Sequence, residues 1–189
     1  MDLREKTIKS EEVFSGRLVK LRLDTVRLPD GKEARREIVV HRGAVAAVPL
    51  LDGDRVVMVR QFRQAAGEVL LEIPAGTLDP GEDPSDCVAR ELGEEIGYTS
   101  NKLTLMFRSY LAPGYSSEML HTFLAEDLVR VESANPDADE FIEVIEVPLA
   151  GAQPDADAAG GIPGIPGIPG ITGTNLAAAR EALARLQAA

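Results

Sequence analysis

Between Asp83 and Gly97 the chain carries one sharply bounded helical segment, and most of the sequence on either side of it, as far as Pro148, reads as strand. Asp83 can act as N-cap, and Pro84 stands at the first helical position, where its missing N–H is no loss. Asp86 suits the positive end of the helix dipole, and Gly97 supplies the stop. Many strands around one marked helix, with mixed connections, point to an α+β fold or to a mixed β-sheet sandwiched between α-helices.

The strands are read from alternation and from turn residues. Residues 12–28 alternate in part, with Val19, Leu21 and Leu23 on one side and Lys20, Arg22 and Asp24 on the other. Pro29 to Lys32 turns the chain and Glu37 to Val40 resumes a strand, which predicts an N-terminal antiparallel hairpin or small sheet over residues 1–41. Further strands are expected at Val45–Leu51, Arg55–Arg60, Val69–Ile73, Leu103–Tyr110, Leu120–Leu124 and Phe141–Val147, completing a main domain over 42–149. Composition then shifts. Residues 150–173 are rich in Ala, Gly, Asp and Pro, and GIPGIPGIPGI at 161–171 is a repeat, which reads as a linker. Residues 175–188 have strong helix propensity, so 150–189 is expected to be linker plus helix.

Charge and cysteine usage exclude some functions. A net charge of −11 argues against a general nucleic-acid binder, which needs a basic face. Cys87 is the one cysteine, so no internal disulfide can form and a reducing cytoplasm is expected. On a helix, that lone thiol reads as packed rather than nucleophilic. The N-terminal residues MDLREKTIKSEEVF hold no apolar signal core, and no stretch reaches membrane-spanning length.

The helix itself poses an electrostatic problem. At about 3.6 residues per turn, Val88, Ala89, Leu92 and Ile96 form a buried stripe, Glu91 and Glu95 fall on its edge, and Glu94 lies to the side. Like charges one turn apart repel by roughly 0.2–0.5 kcal/mol. The C-terminal half of a helix disfavours anions, and partial burial adds a desolvation cost. A solvated acidic face is the ordinary reading of such a run. A divalent cation would remove all three penalties, and hard oxygen ligands suit Mg²⁺.

The surrounding residues, Gly76-x5-Glu82-x7-Arg90-Glu91-Leu92-x-Glu94-Glu95-x-Gly97-Tyr98, match the Nudix box at every fixed position. Glu82 and Arg90 can pair and pin the preceding loop to the helix, while Gly76 and Gly81 let that loop bend. The segments RQFR at 60–63, VLLEIPAGTLDPGED at 69–83 and LAPGYSSE at 111–118 resemble the ADP-ribose pyrophosphatase subgroup, as does Pro113, 15 residues past Tyr98.

The resemblance implies Mg²⁺-dependent hydrolysis of a nucleoside diphosphate linked to another moiety, with Mn²⁺ able to substitute. It implies metal ligation by Glu91, Glu94, Glu95 and the Ala75 carbonyl, with Arg90 in the catalytic set. Glu140, in DADEFIEV, is implied as ligand or base, with Asp137 and Asp139 as competitors for the base. Arg63 would contact the diphosphate or ribose, and Glu118 the terminal ribose side. A homodimer is also implied, with Arg36, Glu37 or His41 near the partner's nucleotide, although a structural histidine is the plainer reading of His41. ADP-ribose, giving AMP and ribose 5-phosphate, is the leading substrate, and a nucleotide sugar such as GDP-mannose is the rival. A catalytically silent ADP-ribose-sensing module, or a scaffold built on the repeat, are the rivals of another class.

Overall fold

The computed structural model describes residues 2–131 and 141–148. The expectations for Asp137, Asp139, Glu140, the 161–171 repeat and the 175–188 helix lie outside the described residues. No helix among the described residues is long and apolar enough to cross a membrane.

The described residues divide into two compact units. The first comprises residues up to Ala44 together with Arg108–Leu120. It contains a three-stranded antiparallel sheet in the order β1 (Lys6–Ser15), β2 (Lys20–Arg27), β3 (Glu33–Val40). The single strand expected over residues 12–28 is therefore two strands, joined by a tight turn in which Gly16 N donates to Val19 O at 2.9 Å. β1 is exposed along its whole length, so it carries no alternation to read. The partition of β2 also differs from expectation. Asp24 and Val26 are buried, while Leu21 and Leu23 are only half-buried. The desolvated Asp24 carboxylate is balanced by Arg22 Nε at 3.0 Å, and in register it stands opposite Arg36. Residues 111–118 are sewn to the end of β3, where Val39 N donates to Tyr115 O at 2.7 Å and Ser117 N to Val39 O at 3.0 Å.

The second unit comprises Val45–Phe107 and the described residues from His121 on. Its mixed sheet has the order β10-β5-β4-β9-β8, with β6 paired to β5 and β7 to β4. The strands are β4 (Ala44–Leu51), β5 (Arg55–Arg63), β6 (Glu68–Glu72), β7 (Ala75–Thr77), β8 (Tyr98–Tyr110), β9 (Met119–Arg130) and β10 (Glu143–Pro148). β4 is buried on both faces, as its unbroken apolar run requires of a central strand. Alternate residues of three neighbouring strands share one face: Val45 and Ala47, Val57 and Val59, Phe123 and Ala125. Cys87, Val88, Leu92 and Ile96 of the helix pack onto that face. Each fully buried aliphatic side chain there contributes about 1.5–3 kcal/mol. This packing fixes the helix on the sheet and so sets where its glutamates lie.

Candidate active site

Helix α1 (Pro84–Glu91) begins as its sequence dictates. Asp83 is extended, at φ −74° and ψ 137°, and its Oδ1 accepts the Ser85 N–H at 2.8 Å. The continuation is not α-helical. Leu92–Ile96 form one π turn, closed by Gly97 in the left-handed region at φ 69°. The even α-helical spacing expected through Glu95 is thus replaced by a wider turn, and Glu95 is more buried than an edge position implies, at 4% exposure. π turns of this kind are frequent at functional sites. Gly93 lies within it, where an added Cβ would meet nothing within 4 Å, so close approach is not the reason for this glycine.

Glu82 and Arg90 form a fork. Arg90 Nε donates to Glu82 Oε1 at 3.1 Å and Nη2 to Oε2 at 3.2 Å, while the Asp79 N–H also reaches Oε2 at 2.9 Å. These bonds hold the Glu82 carboxyl down at about 2, with the Arg90 guanidinium the larger cause. A depressed carboxylate pKa gives stability that is complete above the ordinary value of 4.5 and is lost as pH falls toward 2. The 79–90 connection is therefore expected to loosen between about pH 5 and 2, read as a gain in amide exchange at Asp79. In Glu82→Gln that acid transition should be absent from Asp79.

Cys87 is buried beneath this fork. Its thiol is pushed up to about 12, chiefly by burial and then by the Glu82 carboxylate. Sγ donates to Thr77 O at 3.7 Å and accepts from Arg90 Nη2 at 3.4 Å. It is a packed thiol, as its place on the helix suggests.

Of the remaining glutamates, Glu91 and Glu95 lie beside β7, and Arg90 joins Glu91 to Glu94. Arg90 Nη1 donates to Glu91 Oε1 at 2.9 Å and to Glu94 Oε2 at 2.8 Å, so two carboxylates converge on one positive nitrogen. Glu95 Oε2 accepts the Ala75 N–H at 3.0 Å. At the next residue, an added Cβ on Gly76 would lie 1.8 Å from Glu91 Oε1. Glu91 and Glu95 therefore sit against consecutive residues of the same short strand. Gly81 does bend the loop, at φ +83°, but Gly76 is needed for the close approach of Glu91 and not for a positive φ.

The NUDIX domain family model matches residues 40–166, and the model for the nucleoside diphosphate sugar hydrolase N-terminal domain matches residues 5–39. The chain belongs to the Nudix family. It is 48% identical over 151 residues to the ADP-ribose pyrophosphatase of Bacillus subtilis strain 168, covering 79% of this chain and 82% of that protein. It is 36% identical over 165 residues to the GDP-mannose pyrophosphatase of Cronobacter sakazakii, covering 80% and 85%. A crystal structure of an ADP compounds hydrolase superposes with a TM-score of 0.78 at 25% identity, covering 100% of this chain and 97% of that one.

Nudix hydrolases are divalent-metal dependent. Among the described residues no three acidic, histidine or cysteine side chains close on a common point, and between Glu91 and Glu94 the positive charge is supplied by Arg90. The donor set nevertheless fits a hard divalent ion: carboxylates already meeting at one positive centre, and a glycine that leaves Glu91 room to reach it. The other expected site residues fall into two groups. In the second unit, Arg63 ends β5 and donates from Nε to Glu72 Oε2 at 2.8 Å. Glu72, in the EIPAG segment, has no signal of its own in the sequence. In the first unit, His41 and Glu118 come together, with Nδ1 3.9 Å from Oε1. Nδ1 also accepts the Gly43 N–H at 3.1 Å. Pro113 is exposed in the 111–118 segment, Glu37 is exposed on β3, and Arg36 is held by Glu5 at 2.5 and 3.0 Å.

Proposed function

We propose that the chain is a magnesium-dependent pyrophosphohydrolase that cleaves the diphosphate of ADP-ribose into AMP and ribose 5-phosphate. The placing of Glu91 and Glu95 against the Ala75–Gly76 strand, with Arg90 joining Glu91 to Glu94, carries this reading. A group of carboxylates so placed against backbone serves a cation better than it serves stability. Glu91, Glu94, Glu95 and the Ala75 carbonyl would hold Mg²⁺ or Mn²⁺, with Glu140 as a further ligand or the base. Such an ion would supply positive charge to offset the diphosphate oxygens and to acidify an attacking water. Arg90, fixed by Glu82, sets the spacing of Glu91 and Glu94. Arg63 would take charge from the diphosphate, so that water bonds to one phosphorus as the bridging oxygen leaves with the other. Retention of every box glutamate favours catalysis over a silent sensing role.

The name of the 48%-identical relative supports ADP-ribose. The name of the 36%-identical relative supports GDP-mannose as a second reading of the same chemistry. A hydrolysis panel of ADP-ribose, GDP-mannose, diadenosine polyphosphates and 8-oxo-dGTP, each with Mg²⁺ or Mn²⁺, decides between them. Fastest release of AMP and ribose 5-phosphate is expected. Faster release of GMP and mannose 1-phosphate establishes the second reading, and binding without turnover the sensing one.

The assembly belongs to the same proposal. β1 exposes Ile8, Val13 and Phe14, a strand with apolar surface and little core of its own. Twofold pairing would bury it and bring Arg36, Glu37 and His41 toward the partner's nucleotide, and Pro113 and Glu118 are proposed for substrate binding. Light scattering at micromolar protein is expected to give a dimer, and deletion of residues 1–41 a monomer that no longer binds substrate. A full-length monomer with full activity overturns the shared pocket. The single cysteine supports a reducing, cytoplasmic setting.

A further inference from the structure

Val57 and Val59 of β5 lie in the core beneath the helix, and Gln61 and Arg63 follow on the same face at the two-residue spacing of a strand. In the β5–β6 ladder Val59 stands opposite Glu72, so Glu72 shares that face. It is the face that carries the glutamate-bearing helix. One oxygen of Glu72, Oε2, receives both Gln61 Nε2 at 3.2 Å and Arg63 Nε at 2.8 Å. The Glu72 side chain is 15% exposed and that of Arg63 43%. Among the described residues the two Nη groups of Arg63 make no hydrogen bond.

A carboxylate that only stabilised a strand pair would serve best by taking a guanidinium in a two-pronged grip. Here the grip is on one edge, from a half-shielded site, and it leaves the other edge open. Gln61 braces the same oxygen from the neighbouring position. The arrangement fixes the direction of an arginine without consuming its capacity to bind an anion.

We propose that Glu72 is a positioning residue that, braced by Gln61, holds Arg63 by its Nε edge so that both Nη groups grip the substrate's diphosphate. The proposal rests on the diphosphate hydrolysis proposed above. Glu72 touches no reacting atom and acts through Arg63.

The test is a double-mutant cycle on the full chain: wild type, Glu72→Gln, Arg63→Ala and the double variant. Each is measured for kcat and KM on the panel substrate cleaved fastest, and for ADP affinity with Mg²⁺ by calorimetry. Glu72→Gln should raise KM and the ADP Kd about tenfold, with kcat changed less than about threefold, as loss of uniform binding requires. In the Arg63→Ala background it should change neither constant by more than about twofold. Equal losses in both backgrounds, or wild-type constants in Glu72→Gln, overturn the positioning role. So does a changed Mn²⁺ requirement, which would make Glu72 a metal ligand. A wild type that cleaves no panel substrate removes the functional reading, while the ADP cycle still decides the role of Glu72. A wild type that binds no ADP overturns it.

Discussion

Glu95→Gln is expected to reduce turnover by at least about 100-fold while leaving the fold intact, the scale on which metal-site electrostatics lower a barrier. Glu95 is the most buried of the box glutamates, and its Oε2 takes the Ala75 N–H at 3.0 Å. Gln retains a carbonyl oxygen able to keep that bond, so the link between the π turn and β7 survives. It loses the charge that a divalent ion needs. Metal-free Glu95→Gln should melt no lower than metal-free wild type, because Glu91, Glu94 and Glu95 crowd the end of the helix that disfavours anions. Steady-state kinetics with Mg²⁺ and thermal melts of both metal-free proteins decide the matter. Near-normal turnover would contradict the ligand assignment, and an unfolded variant would make the Ala75 contact structural first.

The helix boundaries were legible because cap chemistry is local: Asp83, Pro84 and Gly97 each act within one turn. The Glu82–Arg90 fork was legible for a related reason, since the box spacing sets the loop against the helix. The π turn was not. It depends on how Leu92 and Ile96 seat in the core while Glu95 reaches Ala75, and no residue type announces that. β1 is only half legible because an edge strand exposed on both faces needs no alternation. Asp24 reads as a polar-face residue because it is charged; its burial depends on Arg22, two residues away on the same face. Glu72 is silent in the sequence because its partners lie across a ladder. Only the pairing of Val59 with Glu72 brings it to Gln61 and Arg63.

Gly76→Ala is expected to cost as much activity as removing a metal ligand, about 100-fold or more, although alanine suits the local backbone. Gly76 is not among the residues with positive φ, so alanine introduces no backbone strain. The new Cβ would fall 1.8 Å from Glu91 Oε1, 1.9 Å from Cδ and 2.5 Å from Cγ. Three atoms of one side chain cannot yield by small adjustments, so Glu91 must adopt another rotamer and take its carboxylate off β7. Arg90 Nη1 then loses its 2.9 Å contact with Glu91. The core beneath the helix is untouched, so the stability loss should stay near the low end of the roughly 1–3 kcal/mol that overpacking costs. Gly93→Ala is the control, since its Cβ would meet nothing within 4 Å, and it should keep close to wild-type turnover. The cause is isolated by combining Gly76→Ala with Glu91→Ala. If the methyl group acts by expelling the Glu91 carboxylate, the double variant should be no slower than Glu91→Ala alone. Full activity in Gly76→Ala, or fully additive losses in the double variant, would show that Glu91 does not work from the position it holds against this strand.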